Sequence, residues 1–579
     1  MQVMDTLPLE APEEAVRKRR ALHQSPSSGR NGQDFKRFQG VLELEMISKN
    51  TRSLGENLEQ AASLSPHKIA LVEGEKRKTF KELDEMVTAL AASLQELGVR
   101  KGDRIAIYMR SSIEFVASFY AIEKLGGVVA WVNPNYRKTE AEFILRNSEA
   151  KGIVIFRDWD GYDYFDAVTE MKENLPHLKF TVVVGKGEGE NTWSFDDLLK
   201  KGYGRSFSAP AIQPQEDLAM LIYTSGTTGR PKGAMITHFQ AVNAGLEYSF
   251  GLQATSEDVF IGVLPMSHSY GCGSTLIQPT LLRSTLVLME KFDVEKAFQI
   301  IEKERVTLQL ASPTHYILEL NHPKRSQYDL TSLRAGLIAG QVAPEGLITR
   351  VQKEMGVYLT SFWGASEVGP GLGTICPYPS PLEIREAYIG KPIAGTVVRI
   401  VDPATRKEVP DGQMGELTLK GWHVLKGYWN NPEETEKQII DGWLHTGDLV
   451  SREKEGYLKI YGRTKDLINR GGYKVYPYEL ESLIVEHPKV QDVCVVATPN
   501  PILGENICAC VIPKPGQSLT LKDLRDFLQG KIAPHKLPDE LCLMEEFPRL
   551  SGGIKLNKFG KGGIAELVLK DVQREKHRR

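Results

Sequence analysis

The chain predicts an α/β architecture, and three observations carry that reading. Amphipathic helices and short apolar strands alternate over most of its length, a β-rich stretch follows, and a shorter unit with its own helices and strands ends the sequence. Such alternation implies parallel sheets covered by helices on both faces. At 579 residues the chain exceeds one core, and its length matches roughly four domain-sized units.

The elements follow in order. The opening stretch is polar, contains "VRKRRALHQSPSSGRNG" and has no apolar run of the kind a secretory signal needs. Its Arg and Ser would suit a transit peptide, but Asp5, Glu10, Glu13 and Glu14 count against one. Residues 1–46 therefore read as a mobile extension. From about Ser53, "TFKELDEMVTALAASLQELGVRKGDRIAIYM" gives helical apolar spacing through Leu97, a Gly98 stop, a Lys-Gly-Asp turn and a short strand. "SSIEFVASFYAIEKLGGVVAWVNP" and "AEFILRNSEAKGIVIF" repeat the cycle. From Ile389 to about Lys459 the texture becomes β-rich, with turns such as "VPDGQMGELTLKG". After "YGRTKDLINRGG" helices are expected near 477–486 and 520–530, with strands in "DVCVVATP" and "ICACVIP". The tail 571–579 is charged.

Composition excludes several classes. With 41% hydrophobic and 25% charged residues and a formal charge of −2, the chain resembles ordinary globular proteins. It lacks the basic excess of a nucleic-acid binder. No run is long enough to span a bilayer, and a cytoplasmic location is expected. The six cysteines show no CxxC spacing. Cys508 and Cys510 alternate within a strand and share one face, which fits reduced, buried thiols better than a metal site.

One stretch carries chemistry. Residues 221–238 read "LIYTSGTTGRPKGAMITH". Gly226 and Gly229 let backbone N–H groups converge on an anion. Thr224, Ser225, Thr227 and Thr228 add hydroxyls, and Lys232 adds a mobile charge behind the stiffening Pro231. The pattern holds phosphate without matching the Walker loop.

"YTSGTTGRPKGA" resembles the phosphate-loop signature of the adenylate-forming superfamily, which includes acyl-CoA synthetases and peptide-synthetase adenylation domains. Further segments follow in that family's order: "LPMSHSYG", "WGASE", "GELTLKG", "VLKGYWNNPEET", "GWLHTGDL" and "YGRTKDLINRGGYKVYPYELE". The resemblance spans roughly Asn57 to Lys558. It implies a large domain, 47–464, of two doubly wound α/β subdomains plus a distorted β-barrel near 389–460. A smaller, mobile α+β domain, 466–570, would follow.

It also implies a reaction. A carboxylate attacks the α-phosphate of ATP, pyrophosphate leaves, and a thiol then displaces AMP from the acyl-adenylate. The enzyme's task is to align two anions and neutralise the departing charge, with Mg²⁺ assisting.

By motif match, Glu367 would hold Mg²⁺, Asp448 would accept from the ribose hydroxyls, and Arg463 would reach ribose or α-phosphate. Trp363 would lie against adenine or pack in the core. Gly340, Gln341, Gly364, Ala365 and Ser366 complete the nucleotide contacts. His268 would gate the acyl pocket or merely pack there, beside Tyr270, Gly271, Cys272, Leu337, Ala339, Ala365, Val368 and Gly369. Lys465 would be the hinge. Gly471, Gly472, Tyr473 and Lys536 would meet coenzyme A. The catalytic lysine falls in "FPRLSGGIKLNKFGKGG", where strict counting lands on Ile554; one extra residue selects Lys555, with Lys558 in reserve.

The small and apolar pocket residues point to an uncharged acyl or ring-bearing acid, since an ammonium would want a buried carboxylate. Free coenzyme A is the expected thiol, a carrier protein the alternative, and a non-catalytic nucleotide-binding homologue a remoter one. Monomer and homodimer both remain open.

Overall fold

The computed structural model describes residues 49–225, 231–471, 473–549, 556–559 and 562–570. Helix Phe80–Glu96 shows how local chemistry sets its elements. Thr79 Oγ1 accepts from the Glu82 N–H while Glu82 Oε2 accepts from the Thr79 N–H, a reciprocal N-terminal cap. Leu83, Val87, Leu90 and Leu94 line its buried face, and Gly98, at φ +92°, ends it in a conformation costly for other residues.

Two sheets form the large α/β body. In the seven-stranded sheet, Leu218–Ser225, Val128–Trp131, Arg104–Tyr108, Gly152–Phe156 and Phe180–Val184 are neighbours in that order and parallel, with Thr192–Ser194 at one edge. Pro231–Thr237 pairs antiparallel at the other edge. The nine-stranded sheet has a parallel centre, Tyr358–Trp363, Ala335–Ile338, Leu308–Ala311, Val259–Gly262, Thr285–Leu288 and Ile69–Glu73, flanked by antiparallel short strands. The expected parallel sheets are thus mixed at their edges, with short connections joining Ile69–Glu73 to Lys76–Thr79 and Leu218–Ser225 to Pro231–Thr237. One apolar core runs through both, including Trp131 stacked on Phe115 with ring centres 5.1 Å apart.

The β-rich stretch becomes an antiparallel sheet of Thr396–Val401, Gly415–Gly421, Trp443–Arg452 and Leu458–Arg463, with Ile439–Ile440 beside it. The last unit has its own buried core. Its sheet joins Tyr473–Val475, Ile468–Arg470, Gly504–Pro513 and Val490–Asn500, with Glu540–Leu543 parallel to Gly504–Pro513. Helices Pro477–Ile484 and Leu521–Leu528 fall where the sequence placed them. Cys508 and Cys510 share a buried patch with Cys494 and Cys542, all four unbridged. Among the described residues no helix is long and apolar enough to cross a membrane.

The core also stores ionisable groups. Burial pushes His238 and His315 down to about 4 and His423 to about 3 from an ordinary 6.5. His238 Nδ1 lies 3.3 Å from Glu123 Oε2, and burial drives that carboxyl upward, so the pair is neutral. Glu319 is raised to about 8 by burial from an ordinary 4.5.

The signs then oppose. Each depressed histidine gives stability that is complete above 6.5 and lost as pH falls toward its folded value, because the unfolded chain takes the proton first. Each raised carboxyl gives stability complete below 4.5 and lost as pH rises through its folded value. Thermal stability is expected to peak between pH 6 and 7 and to fall by pH 8, at about 1.4 kcal/mol per pH unit for each such group. A melting temperature that climbs steadily from pH 6.5 to pH 8 would contradict this assignment.

Candidate active site

Four neighbouring parallel strands of the large sheet, 259–262, 308–311, 335–338 and 358–363, point their carboxyl ends to one edge. The loops leaving that edge carry "LPMSH", "SPTHY", "AGQVAP" and "WGASE". Ligands of open α/β sheets bind at such edges. Gly340, at φ +93°, turns the chain there, and Gln341 Nε2 donates to Thr314 Oγ1 at 3.2 Å.

Asp448 is the best-held polar group of the site. It is 4% exposed. Its Oδ2 accepts from Trp363 Nε1 at 2.8 Å, and its Oδ1 meets Arg463 Nε at 2.8 Å. Asp448 and Arg463 are register partners on adjacent strands, so the antiparallel pairing fixes their approach. The Asp448 carboxylate raises the already high Arg463 pKa further. Trp363 packs in the core, one of the two fates that the sequence allowed, and its N–H serves Asp448.

Gly364 lies so close to another strand of loop that a Cβ there would sit 1.7 Å from the Gly371 carbonyl oxygen. Only glycine fits. Ser366 Oγ bonds Ser269 Oγ at 3.1 Å, tying "WGASE" to "LPMSHSYG". Glu367 follows, one of its carboxylate oxygens accepting from Tyr428 O–H at 2.8 Å. Burial and the Glu367 charge raise the Tyr428 phenol pKa, which keeps it a donor.

The strands on either side of the candidate phosphate loop pair antiparallel. Thr224 pairs with Lys232, and Ser225 with Pro231, so residues 226–230 connect two strand ends fixed in register. Gly226, Thr227, Thr228 and Gly229 are outside the described residues. Lys232 is 7% exposed. Its ammonium is ion-paired with Glu434 and lies 5.4 Å from the Tyr428 ring centre.

Segment 424–429 ties these parts together. Met235 N–H donates to Gly427 O at 3.0 Å and Trp429 N–H to Gly233 O at 2.8 Å, while Leu425 N–H donates to Glu367 O at 2.9 Å. The segment is a splint between the Lys232 strand and the Glu367 loop. Tyr428 and Glu434 were missed as single residues although both stand inside the quoted "VLKGYWNNPEET"; contact with Glu367 and Lys232 was the missing signal.

The acyl-pocket candidates divide. His268 is half-buried, and its Nδ1 accepts from the Tyr270 N–H at 3.3 Å, capping the short turn Ser269–Gly271. Tyr270 O–H donates to Leu337 O at 3.0 Å, and its ring meets Phe362 edge-on at 4.7 Å. A Cβ on Gly271 would fall 2.2 Å from Pro265 O. Cys272, Leu337 and Val368 are fully enclosed, and Cys272 Sγ lies 3.6 Å from Met220 Sδ. Ala339 is 7% exposed. Gly369, at φ +55°, donates its N–H to His423 O at 2.6 Å.

In the C-terminal unit, Lys465 lies on the short turn Thr464–Asp466 where the two sheets meet; burial, and then Arg463, lower its pKa. Gly471, at φ +59°, donates to Leu503 O at 2.7 Å. Tyr473 is exposed and stacks on His535 at 4.5 Å, and Lys536 Nζ pairs with Glu479 at 2.6 Å. Gly472 and Lys555 are outside the described residues. Lys558 is accounted for: its Nζ pairs with Glu481 Oε1 at 2.7 Å. Burial works against its charge, but Glu481 outweighs it and the ammonium is held. Arg549 also bears on the site, since its charge, after burial, depresses His315 on the 313–321 helix.

Mg²⁺ can be tested against this donor set. Among the described residues no group of three or more His, Cys, Asp or Glu could cage a metal. A lone carboxylate such as Glu367 suits a cation that keeps several waters and takes its other ligands from substrate phosphates.

Fold and edge together define the class: an α/β adenylate-forming enzyme with a separately cored C-terminal unit. The comparisons agree. Residues 58–429 match the AMP-binding enzyme model and residues 479–553 match the AMP-binding enzyme C-terminal domain. The chain belongs to this AMP-binding enzyme family. It is 32% identical over 528 residues to a putative acyl-CoA synthetase, YngI, of Bacillus subtilis, covering 88% of this chain and 96% of that protein. It is 32% identical to the medium-chain fatty-acid–CoA ligase of Escherichia coli, covering 90% and 91%. The anthranilate CoA ligase AuaEII, solved with anthranoyl-AMP, superposes with a TM-score of 0.81 at 26% identity, covering 91% and 98%. ATP-bound MatB from Rhodopseudomonas palustris gives 0.80 at 27%, covering 90% and 99%.

Proposed function

We infer that the chain is an AMP-forming carboxylic acid–CoA ligase, acting on an uncharged acid of medium aliphatic length. The observation that carries this is Asp448, enclosed, fixed by Trp363 and Arg463, and set beside the carboxyl edge of the large sheet. A buried carboxylate with two fixed donors is a preorganised acceptor for a sugar diol.

The reaction divides between the two units. Lys232 and the 224–229 loop would grip the β- and γ-phosphates, and Arg463 the α-phosphate. The acid's carboxylate oxygen bonds to the α-phosphorus, the bridging P–O bond breaks, and pyrophosphate departs. Mg²⁺, held by Glu367 and phosphate oxygens, would supply charge neutralisation when bound. Lys555 would steady the two reacting anions. The thiol sulfur of coenzyme A then bonds to the acyl carbon, AMP leaves with the shared electron pair, and the thiol proton passes to solvent. Lys465 would be the pivot between the two half-reactions, with Gly471, Gly472, Tyr473 and Lys536 facing the thiol substrate. His268 and Tyr270 would wall the acyl site.

Support for an uncharged acid comes from the apolar and small residues around Tyr270, Leu337 and Ala339. Medium length is supported by the names of the relatives that act on such chains. Pyrophosphate release should be measured over short, medium and long aliphatic acids and aromatic acids, with and without coenzyme A. Medium aliphatic acids with thioester formation are the expected result. Release without transfer to coenzyme A would point to a carrier-protein thiol, and ADP with inorganic phosphate would overturn the reading.

A further inference from the structure

Burying an ammonium without a partner is costly, so a lysine enclosed in a site needs a counter-charge. Lys232 has one. Glu434, in the helix Pro432–Gln438, ion-pairs with it, and that contact lowers the Glu434 pKa. The arrangement is built. Asn431 Oδ1 accepts from the Glu434 N–H at 3.2 Å, and main-chain bonds along 424–429 fix this segment to the strand bearing Lys232. Tyr428 offers its ring face to the same ammonium and its O–H to Glu367.

The lysine that should meet the polyphosphate is therefore already neutralised. Both cannot be satisfied at full strength: an ammonium held by a carboxylate has less to give to a phosphate. Glu434 has a second cation, however. Its Oε1 lies 3.1 Å from Lys437 Nζ, on the outer side of the helix, where Lys437 is well exposed. If Lys232 turns away, Glu434 still has a partner, and the exchange leaves no bare buried carboxylate.

We propose that Glu434 is a positioning residue that stores the Lys232 ammonium in the empty enzyme, yields it to the polyphosphate of ATP, and recaptures it as pyrophosphate leaves. The carboxylate competes with the nucleotide. It weakens ATP binding somewhat and, in return, speeds loss of the first product. No covalent step is involved; one ion pair is exchanged for another. The proposal rests on Lys232 being a polyphosphate ligand.

The test separates these two claims. ATP and pyrophosphate affinities, kcat and KM for ATP are measured for the full chain, for E434Q, for K232M and for the double variant, with thermal melts as a folding check. E434Q should bind ATP and pyrophosphate about three- to tenfold more tightly, the scale of one partly screened charge pair. It should also show a lower KM for ATP together with a lower kcat limited by pyrophosphate release. E434D should shift both values in the same direction but less far. A glutamate that merely braced the helix would raise KM or change neither constant, and either result overturns the proposal. In the K232M background the E434Q change should have no effect on ATP affinity; an undiminished effect there also overturns it. If K232M alone leaves ATP affinity unchanged, the ligand role of Lys232 fails, whatever E434Q does. Should E434Q melt far below the parent, E434D supplies the second measurement: its shorter reach should tighten ATP binding less than E434Q but in the same direction, and looser binding overturns the proposal.

Discussion

Glu367→Gln is expected to lower the rate of adenylate formation by ~100- to 1,000-fold, the usual scale for removing one preorganised electrostatic group from a reacting centre. The substitution is nearly isosteric. A glutamine carbonyl can still accept the Tyr428 O–H that Glu367 accepts at 2.8 Å, and the backbone bond from Leu425 N–H is untouched. The change is therefore confined to one negative charge. If that charge holds Mg²⁺, the variant should need more Mg²⁺ for half-maximal pyrophosphate exchange, and excess Mg²⁺ should recover part of the rate. Thermal stability should stay close to the parent, because no buried donor loses its partner. Full exchange at low Mg²⁺ would show that the carboxylate serves Tyr428 alone.

Sequence reasoning and structure agree best where chemistry is local. The helix at Phe80–Glu96 was legible because its cap, its apolar spacing and its Gly98 stop all lie within one short window. The loops at the carboxyl edge of the large sheet were legible as a group because each carries one of the quoted motifs. What escaped was pairing over long separations. Nothing in "TSGTTGRPKG" says that its lysine meets a glutamate 202 positions later, and nothing in "WGASE" names Tyr428. The mixed sheet edges escaped for a similar reason: apolar alternation gives a strand but not the direction of its neighbour. Glu123 and Glu319 are both fully enclosed. Their burial is a tertiary fact, and the spacing of apolar neighbours does not reveal it.

The lysine near the end of the chain can be settled by a pair of substitutions. Lys555→Ala is expected to reduce adenylate formation by ~100-fold or more, for the same electrostatic reason, while leaving transfer from a supplied acyl-adenylate to coenzyme A nearly intact. Lys558→Ala should do neither. Arg549 and Leu556 form an antiparallel bridge, with Asn557 N–H donating to Pro548 O at 2.8 Å. Lys555 directly precedes Leu556 in the chain, and Leu556 is the residue bridged to Arg549. Arg549 in turn carries its charge to His315, on the helix that follows strand 308–311 of the site edge. Lys558 stands two residues past that bridge, and its ammonium is already committed to Glu481 at 2.7 Å. Removing it should leave Glu481 without its buried partner, so Lys558→Ala should act on stability, by about 1–3 kcal/mol, and not on the first half-reaction. Pyrophosphate exchange, thioester formation from preformed adenylate and a denaturant melt together distinguish the two lysines. Loss of exchange in Lys558→Ala at full stability would transfer the catalytic role to Lys558.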